Sequence, residues 1–169
     1  MTKDLLNPKW ETGTVISQIP IGNLKSLGMK LLILDVDGTL VSGRNLIINR
    51  SVHNWIREAQ KDFKIHLLSN NPSHKRISAV AKQLDVDFTF AATKPRKKNI
   101  ENILSEYSYN YSETALIGDR IFTDVLGGNR MGIYTVLVKS INTKGTYSEI
   151  NFVHILEKLI SSLIKVFMQ

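Results

Sequence analysis

Apolar positions along this chain repeat in two alternating ways. Short runs, each bounded by polar or turn residues, occur at Lys64 to Leu68, Phe88 to Ala91, Thr114 to Ile117 and Tyr134 to Val138. The clearest is Leu31 to Leu34, four consecutive apolar residues, which reads as a strand buried on both faces. Between these runs the apolar positions fall at helical spacing. Val52, Trp55, Ile56 and Ala59 predict a helix from about Asn49, with Asn49 or Ser51 as its cap. Ile77, Val80, Ala81 and Leu84 predict a helix over Ser73 to Leu84, and further helices are expected over Arg96 to Tyr107 and Ile121 to Arg130.

Strands alternating with helices predict an α/β fold, a three-layer sandwich around a mostly parallel sheet of five strands. A short helix over Ile21 to Leu27 leads into the first strand, and Val15, Ile16 and Ile19 are placed to cover one edge of the core. A last helix is expected over 148–168. Val153, Leu156, Ile160, Leu163 and Phe167 form its apolar stripe, and Glu157, Ser161 and Ser162 lie opposite. The expected organisation is one domain over 1–169: an N-terminal extension (1–29), a core (30–138) and the amphipathic C-terminal helix.

Composition narrows the class. The chain has 169 residues, 43% hydrophobic and 22% charged, which suits a folded globular protein. It has no cysteine, so disulfides and thiolate zinc sites are excluded. No stretch approaches the roughly 20 apolar residues of a spanning helix, and Met1 to Trp10 lacks the apolar segment of a secretory signal. A cytoplasmic protein, free or peripheral on a membrane, is expected. The formal charge of +7 favours anionic partners, although a solvated basic surface would look the same.

The candidate chemistry sits where the strands end. Asp35 and Asp37 follow the first strand, with Gly38 to turn the chain and Thr39 to supply a hydroxyl. Ser69 and Asn70 follow the second, Lys94 follows the third, and Asp119 and Asp124 follow the fourth. Right-handed crossovers bring all parallel strand ends to one side of a sheet, where open α/β folds place ligands. A lone Asp-x-Asp would read as a solvated turn; four polar clusters at four strand ends do not. Carboxylates gathered without His or Cys suit a hard cation with oxygen ligands, Mg²⁺ first among them. Beside such a metal, one carboxylate can attack as nucleophile and another can carry a proton. Lys94, Ser69 and the turn amides near Gly38 and Asn70 can stabilise phosphoryl oxygens. The set fits metal-assisted phosphoryl transfer.

These residues resemble the four motifs of the haloacid dehalogenase-like (HAD) phosphatases, in order: Asp35-Val-Asp-Gly-Thr39, Ser69, Lys94, and Gly118-Asp119-Arg-Ile-Phe-Thr-Asp124. The resemblance implies that Asp35 is the nucleophile and a metal ligand. It makes Asp37 the general acid/base, binding metal through its carbonyl. Asp119 would be a metal ligand and Asp124 its support, with Ser69 and Lys94 holding the phosphoryl group. Gly38, Thr39, Asn70, Arg96 and Arg120 are the expected substrate-side residues. Phosphatase chemistry is implied over dehalogenation because the second Asp of the first motif, Asp37, is present.

Only a loop and one helix separate Asp37 from Ser69, and only a helix and a short strand separate Ser69 from Lys94. Neither gap can hold the cap domain with which many HAD enzymes enclose small substrates. Among capless members the chain is similar to the YqeG-like subclass IIIA group, which includes phosphatidylglycerophosphate phosphatases. Ile19-Pro20, Leu24-Lys25-Ser-Leu-Gly28, Leu68-Ser-Asn-Asn71, Thr93-Lys94-Pro95 and Thr123-Asp-Val-Leu-Gly-Gly-Asn129 carry that similarity. The chain departs from the group's usual residues at Gly38 and Arg120.

The implied substrate is a phosphorylated one, a phospholipid headgroup, with a soluble or protein-bound phosphomonoester as the alternative. A phosphate- or metal-binding module without turnover is the reading from another class. Basic residues at Lys94 to Lys98, at His74 to Arg76 and at Arg120 lie near the expected mouth and could attract an anionic headgroup or bilayer; solvated helix starts are the alternative, which the helix dipole opposes for Arg96 to Lys98. The last helix either packs on the sheet or offers its end, Ile164 to Met168, to a membrane or partner. No recognition motif or aromatic array accompanies the basic residues, so a specific nucleic-acid partner is not expected.

Overall fold

Leu31 to Leu34 form β2, and all four side chains are buried. Such a strand needs cover on both faces, and alternation supplies it. Leu32 and Leu34 join one core cluster with Val52, Ile56, Ile77 and Val80. Leu31 and Ile33 join a second on the opposite face, with Ile100, Ile103, Leu104 and Met131. The computed structural model describes residues 5–43, 45–146, 156, 157 and 159–163.

The sheet has six strands in the order β1-β6-β5-β2-β3-β4, and every pairing is parallel. In chain order these are β1 (Trp10–Glu11), β2 (Leu31–Leu34), β3 (Lys64–Leu68), β4 (Asp87–Thr89), β5 (Thr114–Gly118) and β6 (Tyr134–Leu137). The helices are α1 (Ile21–Ser26), α2 (Arg50–Ala59), α3 (His74–Leu84), α4 (Lys98–Tyr107) and α5 (Leu126–Met131).

The sequence predicts five strands; the sixth is β1. Trp10 pairs with Val136 and Glu11 with Leu137, extending the sheet beyond β6. Two residues are too few to show a period of two, so no local pattern marks this strand. Residues 5–29 also supply core: Val15, Ile16, Ile19 and Leu24 are buried, and the Trp55 indole donates to the Ile19 carbonyl at 2.8 Å.

Other boundaries shift by local chemistry. Asn49 caps α2 by accepting from the Ser51 amide, and Ser73 caps α3 by accepting from the Arg76 amide. The helix expected to start at Arg96 starts at Lys98. The helix expected over Ile121 to Arg130 opens instead as a π-helical turn, Ile121–Val125, before α5. Wider turns of this kind often mark functional positions.

Most of the expected C-terminal helix lies outside the described residues, as does its terminal stretch Ile164 to Met168. Residues 156, 157 and 159–163 are helical. Their orientation corrects the expected packing. Glu157 and Ser161 are buried, whereas Leu156, Leu159, Ile160 and Leu163 are exposed. Among the described residues the inward side carries Glu157, whose hydrogen bond is described below, and Ser161.

Candidate active site

Register decides the site. β2 pairs with β3 and β5 so that Leu34 lies beside Leu67 and Ile117. The residues just past these positions, Asp35, Ser69 and Asp119, therefore leave the sheet at one edge. The Asp35 amide still donates to the Ile117 carbonyl at 2.9 Å, which extends the ladder to the first acid.

Lys94 stands at the centre. Its Nζ lies 2.6 Å from Oδ1 of Asp35 and 2.6 Å from Oδ1 of Asp124. All three side chains are buried. The loop carrying Lys94 is tied to the end of β3 by Asn70, whose Oδ1 accepts from the Lys94 amide (2.7 Å) and whose Nδ2 donates to the Lys94 carbonyl (3.0 Å). Asp124 is held from its own turn, with Oδ2 accepting from the Arg120 amide at 3.1 Å. Asp119 accepts a short hydrogen bond from the Ser140 hydroxyl. The Thr39 hydroxyl faces Asp35 Oδ2 (3.3 Å) and Asp119 Oδ1 (3.5 Å).

Two glycines allow this crowding. At Gly38, with φ of +95°, an added Cβ would collide with the Asp119 carboxylate; at Gly118 it would collide with that of Asp124.

Electrostatics follow from burial. Desolvation pushes the Asp35 carboxyl up from its ordinary range, Lys94 pulls it down, and Asp124 and Asp119 push it up further. Burial works against the Lys94 charge, but Asp124 and Asp35 outweigh it and hold the ammonium above the usual lysine value. Asp35, Asp119 and Asp124 each offer a carboxylate oxygen, all within 4.8 Å of one another. Three buried carboxylates against one lysine leave an excess of negative charge that a divalent cation would balance. An all-oxygen donor set of this kind fits a hard ion.

Above the cluster opens a cleft of about 160 Å³, lined by Asp35, Asp37, Ser69, Asn70, Asn71, Lys94, Arg120 and Thr123. Among the residues expected at the site, Asp119, Asp124, Gly38 and Thr39 sit around or beneath the buried acids. Arg96 is exposed and is not among the lining residues. Among the described residues the connections after β2 and β3 carry only α2, and α3 with β4, and no inserted domain encloses the cleft.

Three partners of the site carry no local sequence signal. Ser140, just past β6, reaches Asp119. Glu157 accepts from the Ile121 amide at 3.0 Å and so anchors the turn that holds Asp119 and Asp124. Arg76 forms an ion pair with Asp37 at 2.6 Å, although its place after Ser69 reads as a rim cation facing solvent.

The HAD-hydrolase-like family model matches residues 91–159. A Bacillus subtilis (strain 168) protein named "Probable phosphatase YqeG" is 32% identical over 116 residues, covering 68% of this chain and 67% of its own length. The chain belongs to the HAD-like hydrolase superfamily. Its place among the HAD hydrolases is with the capless phosphatases. The chloroplastic/mitochondrial phosphatidylglycerophosphate phosphatase 1 of Arabidopsis thaliana is 28% identical over 149 residues. That match covers 83% of this chain but 40% of the plant protein. In fold, the chain is similar to a subfamily IIIA HAD hydrolase from Legionella pneumophila, with a TM-score of 0.52 and 16% identity. This likeness covers 88% of this chain and 97% of the other.

Proposed function

We propose that this HAD phosphatase hydrolyses a phosphomonoester on a phospholipid headgroup, of the phosphatidylglycerophosphate kind, with Mg²⁺ held by Asp35, Asp119 and Asp124. The observation that carries the reading is the open cleft: a buried nucleophile and lysine reached from a rim that no inserted domain covers. Such a site accepts a headgroup still attached to a large body. The similarity to the plant phosphatase supports the lipid class.

Asp35 attacks phosphorus, the bond from phosphorus to the ester oxygen breaks, and Asp37 delivers a proton to the departing alkoxide. Water then attacks the aspartyl-phosphate, Asp37 takes its proton, and inorganic phosphate leaves with Asp35 restored. Ser69, Asn70 and Lys94 line the space where phosphoryl oxygens would sit, and Lys94 supplies fixed positive charge. The divalent ion, when bound, offsets the negative charge gathered on the acids and the phosphoryl group.

Charge and shape at the rim support a bilayer as the setting. Lys75, Arg96, Lys97, Lys98 and Arg120 are exposed, and none forms an ion pair among the described residues. The outward row Leu156, Leu159, Ile160 and Leu163 adds exposed apolar surface. No helix among the described residues is long and apolar enough to cross a membrane, so contact would be peripheral.

The test compares phosphatidylglycerophosphate in mixed micelles with soluble phosphomonoesters, with and without Mg²⁺. Metal-dependent release favouring the micellar lipid is expected, and Asp35→Asn should abolish it. Equal or faster hydrolysis of soluble esters would sink the lipid assignment, and no turnover of any ester would leave a binding module.

A further inference from the structure

Arg76 lies on the first turn of α3, at the same sheet edge as the cleft, yet its side chain is only 14% exposed. Its Nε donates to Oδ1 of Asp37 at 3.0 Å, and its Nη2 donates to the same oxygen at 2.6 Å. Nη2 also donates to the Gly43 carbonyl at 2.7 Å, in the loop that follows Asp37. The second oxygen of Asp37 accepts from Asn71 Nδ2 at 2.9 Å. The two oxygens are thus held from the first turn of α3 and from the connection that precedes it. A cation placed to catch a solvated phosphate would keep its donors towards water; these point at Asp37 and at the loop behind it.

We infer that Arg76 is a positioning residue for Asp37: its guanidinium fixes where the carboxyl stands over the cleft and which oxygen carries the proton. The inference rests on the reading of Asp37 as the proton carrier. Arginine N–H groups only donate, so Oδ1, engaged by two of them, cannot also present a proton to the substrate. Oδ2, which meets one donor from Asn71, is the oxygen that keeps a lone pair for the proton Asp37 delivers. Lysine could match the charge but not the pair of contacts, because a point ammonium lacks the planar fork.

The consequence is confined to one chemical step. As the bond from phosphorus to the ester oxygen breaks, the electron pair goes to that oxygen. An alkoxide leaving group needs the Asp37 proton at that moment, whereas a nitrophenolate leaves without it. Loss of Arg76 should therefore slow alkyl phosphates far more than aryl phosphates.

The experiment measures kcat/KM for p-nitrophenyl phosphate and for an alkyl phosphomonoester, with Mg²⁺ present. The panel is wild type, Arg76→Ala, Arg76→Lys and both arginine variants in an Asp37→Asn background. Arg76→Ala should reduce the alkyl ester roughly 10–100-fold more than the aryl ester, a part of the roughly 10²–10⁴-fold that general acid catalysis contributes. Arg76→Lys should fall between, and the differential should vanish once Asp37 is replaced. Equal losses on both esters, or a differential that persists in the Asp37→Asn background, would overturn the inference. If Arg76→Ala fails to fold, as judged by circular dichroism, Arg76→Lys carries the same comparison. Failure of the wild type to turn over either ester or phosphatidylglycerophosphate in mixed micelles would instead remove the phosphatase reading, and this inference with it.

Discussion

Lys94 Nζ stands 2.6 Å from Asp35 Oδ1, and both side chains are shielded from water. One buried ammonium thus serves the acid read as the nucleophile and, through Asp124, the metal cluster. Removing one partner of a buried pair costs about 3–5 kcal/mol, because the remaining charge stays desolvated. Lys94→Ala should lose about that much stability in urea unfolding carried out in EDTA. Its kcat should fall about 100-fold or more, the scale for losing a charge-stabilising donor. Unchanged unfolding would show that the acids are solvated in solution.

Gly38 turns the chain between Asp37 and Thr39 with φ of +95°. Gly38→Ala is expected to displace the Asp119 carboxylate, since the added methyl would take its place. Calorimetric titration of Mg²⁺ or Mn²⁺ should show at least about tenfold weaker binding, the scale of a disturbed ligand shell. Wild-type affinity would mean that the turn relaxes without moving Asp119.

Glu157 holds the Ile121 amide from a helix far along the chain. Replacing it with alanine should loosen the turn carrying Asp119 and Asp124 and weaken metal binding several-fold. Glu157→Gln retains an acceptor and should bind metal nearly as the wild type does. Leu156→Ser, on the exposed side of the same helix, is the control for general disturbance. If glutamine is as harmful as alanine, charge and not the hydrogen bond anchors the turn.

His66 is buried in β3, with Nδ1 2.9 Å from the Tyr107 hydroxyl and Nε2 2.9 Å from the Thr89 hydroxyl. Burial lowers its pKa from 6.5 to about 4. A folded-state value below the unfolded one means that the neutral ring is favoured by folding. Its contribution is complete above pH 6.5 and is lost as pH falls towards 4, at about 1.4 kcal/mol per pH unit. Between pH 6.5 and 5, urea unfolding of the wild type should lose about 2 kcal/mol more than that of His66→Gln. Parallel pH profiles for the two proteins would rule out His66 as the source.

How much of this was legible in the sequence depends on how far apart the interacting residues lie. The run Leu31 to Leu34 announces a doubly covered strand because burial of both faces leaves no polar position. The helical spacing of Ile77, Val80, Ala81 and Leu84 announces a face because the period repeats within eight residues. Polar residues directly after strand ends announce a shared edge, since parallel strands with right-handed crossovers finish on one side. Asp35, Ser69, Lys94 and Asp119 could therefore be grouped without coordinates.

Other relationships needed the folded chain. β1 exists only because β6 offers it an edge, and two residues carry no period of their own. Arg76 reads as a cation at the mouth, Glu157 as part of a polar helix face, and Ser140 has no reading of its own; only packing brings them to Asp37, the Ile121 amide and Asp119. The outward row from Leu156 to Leu163 likewise needed coordinates: among the described residues Glu157, which accepts from the Ile121 amide, lies inward and Leu156, Leu159, Ile160 and Leu163 lie outward. Local pattern determined five of the six strands, most of the helical spans between them and the edge where the acids gather. Long-range hydrogen bonds and charge pairs, which have no period along the chain, decided how each acid is held.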